Sequence, residues 1–86
     1  MAEAFMLIQT EVGRAEVVAK QIAALPGVLS SEYVTGPYDV IVRIRTDPAA
    51  ATGEAATAAV HRTVSTVQGI EGITRTLTCP IAGAPH

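Results

Sequence analysis

The chain has 86 residues and a mass of 8.9 kDa, with 6 basic and 8 acidic side chains, so it holds one small domain and no hidden second one. A net charge of −2 argues against direct nucleic-acid binding, because a surface that tracks phosphates gathers an excess of Lys and Arg on one face. The longest uncharged stretches run to about eleven residues, against roughly twenty for a membrane span, and the opening Met1-Ala2-Glu3-Ala4 lacks a basic secretion-signal region, so the expected address is the cytoplasm.

In chain order, residues 4–10 (AFMLIQT) read as a buried strand, with Phe5 and Leu7 on one face and Met6 and Ile8 on the other. Gly13 opens a helix over 14–25, where Ala15, Val18, Ile22 and Leu25 form one stripe and Pro26-Gly27 ends it. Residues 28–35 (VLSSEYVT) form a half-polar strand. Gly36-Pro37 turns the chain, and 38–46 (YDVIVRIRT) return as a strand with Tyr38, Val40, Val42 and Ile44 on one side, completing a hairpin. Asp47-Pro48 signals a helix start, Val60, Val64 and Val67 carry the helical spacing to Gly69, and Gly53 leaves the true start open. Residues 72–81 (GITRTLTCPI) read as an edge strand closed by Pro80, and 82–86 as a tail.

The order is therefore βαββαβ. Leu25-Pro26-Gly27-Val28 and Ile70-Glu71-Gly72-Ile73 occupy the same helix-to-strand corner 45 residues apart, which divides the chain into two βαβ halves. Right-handed crossovers then predict an α+β, ferredoxin-like fold: a four-stranded antiparallel sheet of order 4-1-3-2 with both helices on one face. The central strands carry aliphatics on both faces, yet two helices cover one face only. Leaving side chains such as Leu7, Val40 and Val42 in water would cost several kcal/mol at about 25 cal/mol per Å². With 49% hydrophobic and 16% charged residues, the simplest solution is a homodimer that pairs sheets face to face, as in a dimeric α/β-barrel.

The run Glu32-Tyr33-Val34-Thr35-Gly36-Pro37-Tyr38-Asp39-Val40, followed by Gly72-Ile73-Thr74-Arg75-Thr76-Leu77-Thr78, resembles the effector-binding half, or RAM domain, of the leucine-responsive and asparagine-regulator (Lrp/AsnC) family. The resemblance spans about residues 3–81 and rests on a Gly-x-x-Asp at the hairpin and a Thr-x-Thr in the last strand. It implies capture of a free amino acid or similar small effector between assembled dimers, in transcriptional or metabolic regulation. The family's helix-turn-helix has no counterpart in this sequence, which reads as a stand-alone RAM protein, so DNA reading is not implied. Implied partners are a second copy, further dimers in a larger oligomer, and a full-length regulator of the same family.

The residues suit that chemistry. Asp39 is a candidate acceptor for an α-ammonium, since a charge-assisted hydrogen bond is about twice as strong as a neutral one. Gly36 lets a ligand approach the backbone, Tyr38 is a candidate pocket wall, and Thr74, Thr76 and Thr78 share one side of the last strand and present hydroxyls. Each also has a structural reading: Gly36-Pro37 is an ordinary turn pair, Asp39 satisfies turn amides, and threonines favour strands. Pro37 removes one backbone donor that a ligand carboxylate would use.

No cofactor, metal or catalytic residue is expected. Cys79 stands alone, which excludes a disulfide framework and a multi-thiolate metal site, and no basic cluster in sequence activates it. The alternative from another class is a small cofactor-independent monooxygenase or isomerase of the dimeric α/β-barrel type, with His61 as general base. An ACT-type regulatory domain shares βαββαβ but pairs its strands edge to edge.

Overall fold

The computed structural model describes residues 3–45 and 53–81. Its elements follow the order β1 (Glu3–Thr10), α1 (Ala15–Ala23), β2 (Val28–Tyr33), β3 (Val40–Arg45), α2 (Gly53–Gln68) and β4 (Ile73–Pro80). The sheet is antiparallel with the order β2-β3-β1-β4, the predicted 4-1-3-2 arrangement read from the other edge. The expected helix start at Asp47-Pro48 and the tail 82–86 lie outside the described residues.

The two halves repeat at their corners. After α1, Val28 N–H bonds to Leu25 O (3.3 Å), and after α2, Ile73 N–H bonds to Ile70 O (3.4 Å). Gly27 (φ 86°) and Gly72 (φ 97°) supply the positive φ that each corner needs. Each glycine carbonyl then accepts from the far end of the neighbouring central strand, Gly27 O from Arg45 N and Gly72 O from Glu11 N, both at 2.8 Å. The repeated Pro-Gly and Glu-Gly corners thus fasten each crossover to the centre of the sheet.

Strand pairing fixes which side chains share a face. Under the helices the rungs run Tyr33, Val40, Ile8, Thr76 and then Ser31, Val42, Met6, Thr78. Met6, Ile8, Val40 and Val42 have no exposed surface and pack with Val18 and Ile22 of α1 and Val67 of α2. Ser31 ties its edge strand to the lid by donating from its hydroxyl to Ala19 O at 2.8 Å.

Among the described residues no helix covers the opposite face. Its rungs are Glu32, Ile41, Leu7, Leu77 and then Ser30, Arg43, Phe5, Cys79. Phe5 and Leu77 remain 36% and 44% exposed, while Leu7 and Ile41 are half-buried. This corrects one expectation: Val40 and Val42 do not lie on the uncovered face, which carries Ile41 instead. The run Val40-Ile41-Val42 is apolar throughout and has no alternation of its own, so its faces are set by the register against β1.

At one end of the open face, Arg43 reaches Glu3 Oε1 from Nη2 (2.7 Å) and Nε (2.9 Å), and its guanidinium lies 5.2 Å from the centroid of the Phe5 ring. Arg45 Nη2 is 3.4 Å from Glu3 Oε2. Hydrogen bonding from Arg43 holds the Glu3 carboxyl below the usual glutamate range, against a smaller opposing effect of burial and with the charges of both arginines assisting. Because the folded value is depressed, the stabilisation is full above the unfolded glutamate pKa and is lost as pH falls through the lowered folded value. Glu3→Gln is therefore expected to be less stable than the wild type at neutral pH, with the gap closing in acid; urea unfolding across a pH series reads this directly.

Candidate functional site

Residues 34–39 connect β2 to β3 and carry the Gly-x-x-Asp. Both strands end earlier than the sequence suggested, at Tyr33 and Val40, so the connection is a six-residue loop. Pro37 has no N–H to offer a ladder. A single backbone bond closes the loop, from Val34 N–H to Asp39 O at 2.8 Å.

Asp39 anchors the loop to the central strand. Its N–H donates to Ile8 O (2.8 Å), and its Oδ2 accepts from Thr10 N–H (2.9 Å). The carboxylate thus takes the place of the next carbonyl rung, which β3 no longer supplies. This is close to the structural reading of Asp39, except that the amide it satisfies belongs to β1 and not to its own turn. Among the described residues its Oδ1 carries no hydrogen bond, which leaves one oxygen for a ligand. A second tether runs from Gln9 Nε2 to Pro37 O at 2.9 Å. A Cβ built on Gly36 would meet nothing within 4 Å, so the space beside the loop backbone is open. Tyr38 is half-buried at the loop's base.

The structure divides the predicted threonine row. Thr74 lies at the bulge opposite Gln9 and Thr10, on the far side of β1 from Asp39, so the hairpin loop and Thr74 flank the same strand end. Two strand spacings, about 10 Å, separate them. Thr76 and Thr78 sit further along β4 and face the helix side, opposite Ile8 and Met6. Gln68 Nε2 of α2 donates to Thr76 Oγ1 at 3.2 Å. Thr78 lines a cleft of about 350 Å³ between α2 and β4, with His61, Ser65 and Gln68 on the helix wall and Val64 and Pro80 below.

His61 therefore shares a cleft with Thr78 and does not belong to the hairpin region. It is exposed, and no carboxylate hydrogen bond orients its ring among the described residues. Cys79 is exposed on the open face opposite Phe5. Among the described residues no cluster of three metal-ligating side chains occurs, and no helix is long and apolar enough to cross a membrane.

The residues that sequence reasoning missed are Gln9 and Thr10, which hold the loop, and the Glu3–Arg43–Arg45 group. The alternation of β1 already placed Gln9 beyond Phe5 and Leu7 on one face. Its contact with Pro37, 28 residues away, requires the strand pairing.

An antiparallel βαββαβ sheet with a helical lid on one face, an open apolar face and a tethered central hairpin defines a ferredoxin-like α+β domain of the kind expected from sequence. The family model for the Lrp/AsnC ligand binding domain matches residues 3–82, and the chain belongs to that family. Among solved structures, TTHA0845 from Thermus thermophilus is similar at a TM-score of 0.83 and 29% identity, over 100% of this chain and 99% of that one. The hypothetical protein PHS023 from Pyrococcus horikoshii is similar at 0.76 and 25% identity, over 98% and 93%. The transcriptional regulator NMB0573 from Neisseria meningitidis, solved as a complex with L-Met, shares the fold at 0.69 and 19% identity, over 95% of this chain and 50% of that one. Among curated proteins none matches significantly.

Proposed function

We propose that this domain binds a free amino acid at the hairpin end of β1 and forms a homodimer through its open sheet face, the dimers joining into a larger regulatory oligomer without catalysing a reaction. The observation that carries the ligand assignment is Asp39: one carboxylate oxygen accepts from Thr10 N–H, the other carries no hydrogen bond among the described residues, and the backbone of the same loop is open at Gly36. A carboxylate held in this way is a preorganised acceptor for an α-ammonium. Pro37 and Tyr38 belong to the same loop, Thr74 stands across the same strand end at about 10 Å, and the L-Met complex of the Neisseria regulator supports an amino acid as the ligand class. Thr76 and Thr78, on the helix side, have no part in this reading.

Dimer formation is supported by the open face. Covering the exposed remainder of Phe5, Leu7, Ile41 and Leu77 is worth about 1 kcal/mol for each side chain, and a two-fold interface counts every gain twice. The effector acts by linkage, favouring the assembly whose contacts complete its pocket by as much as its affinities for the two states differ. A full-length Lrp/AsnC regulator, whose ligand-binding domain shares this fold, is a further partner for mixed assembly.

The test is a thermal-shift and light-scattering screen with each of the twenty amino acids. At least one is expected to raise the melting temperature or change the mass; Asp39→Ala should abolish that response, and His61→Ala should leave it intact. A response lost with His61→Ala and kept with Asp39→Ala would overturn the assignment in favour of the cleft between α2 and β4.

A further inference from the structure

We infer that Gln9 is a positioning residue that couples the order of the hairpin loop to burial of the open sheet face, so that dimer formation prepares the effector site. This rests on the homodimer proposed above and goes beyond it by naming the element that connects the two.

Gln9 belongs to both regions. It continues the Phe5-Leu7 alternation on the open face, one rung beyond the apolar row of Ile41, Leu7 and Leu77, and it stands opposite Arg75. Its side-chain amide also reaches round the end of β3 to the Pro37 carbonyl, at 2.9 Å. The loop has little else to hold it. Its one internal backbone bond joins its two ends, and the Asp39 tether acts at its last residue, so Gln9 grips the middle of the turn.

Solvent decides the strength of that grip. In the single chain the bond from Gln9 is exposed, and water replaces it at almost no cost. A second sheet packed about 10 Å above the first removes that alternative. The amide and the carbonyl must then bond to each other or be left unsatisfied in a poorly hydrated rim, which is costly. Covering the face therefore favours the loop conformation in which Pro37 O points at Gln9. Coupling of this kind is reciprocal: a ligand that orders the loop strengthens the dimer by the same factor.

The experiment is amide hydrogen exchange at Val34, whose N–H closes the loop on Asp39 O, and at Asp39, whose N–H ties the loop to Ile8 O, measured across a dilution series with the mass followed by light scattering. In the wild type, protection of both amides is expected to rise about fivefold or more from monomer to dimer, as one hydrogen bond becomes obligatory. Gln9→Met keeps the length of the side chain and removes the donor, so its loop amides should stay at the monomer value at every concentration, while ladder amides such as Met6 and Val42 are unchanged. Loop protection that ignores dilution in a wild-type chain that does dimerise, or that still rises in Gln9→Met, overturns this inference and leaves the assembly intact. A wild-type chain that stays monomeric at every concentration removes the assembly and this inference together, and the mass measurement separates the two failures.

Discussion

Leu7→Lys is expected to yield a folded monomer. Leu7 occupies the middle of the open face, flanked by Ile41 and Leu77, and its partly exposed side chain contributes little to the core under the helices. In a face-to-face homodimer the two copies of residue 7 lie near the two-fold axis, so the substitution brings two ammonium groups together, close to Arg43, in a space emptied of water. An unpaired charge in such a setting costs several kcal/mol, and each 1.4 kcal/mol is a factor of ten in affinity. The dimer dissociation constant should rise by at least a hundredfold, read by sedimentation equilibrium. Circular dichroism and the urea midpoint at concentrations where the wild type is also monomeric should change little. A Leu7→Lys chain that keeps the wild-type mass would show that the open face is not the interface.

The same substitution one residue earlier should have the opposite result. Met6 has no exposed surface and lies beneath both helices, between Val42 and Thr78 on its rung. Met6→Lys removes a buried apolar side chain, worth about 2–5 kcal/mol when truncated, and places an amine where no carboxylate awaits it. A small domain has a total margin of about 5–15 kcal/mol, with a short chain near the lower end. Met6→Lys is therefore expected to lose its helical circular dichroism and its cooperative unfolding transition. Substituting neighbouring residues of one strand identically separates folding from assembly, because successive side chains of a strand point to opposite faces.

How much of this was legible in advance differs by residue. The alternation of Phe5, Met6, Leu7 and Ile8 gave both faces of β1 correctly, because a two-residue period is a local property. Val40-Ile41-Val42 carries no such signal: Val40 and Val42, expected on the open face, lie under the helices, and Ile41 takes the open side. Asp39 and Gly36 stand out as a motif, but the motif does not reveal that one Asp39 oxygen caps Thr10 N–H while the other carries no hydrogen bond among the described residues. The row Thr74, Thr76, Thr78 looked continuous in sequence; the bulge near Ile73 and the register against β1 put Thr74 at the hairpin end and the other two against α2.

The chain alone determined the element order, the strand arrangement and the imbalance between one helical lid and an apolar sheet with two sides, because hydrophobic period, turn residues and crossover handedness all act over short stretches or apply generally. Only the tertiary structure decided which aliphatics remain uncovered, which threonines stay near the hairpin, and that Gln9 and Asp39 hold the loop. Those outcomes depend on pairing between segments from about 30 to about 70 residues apart, where a shift of one residue exchanges every side chain between the two faces.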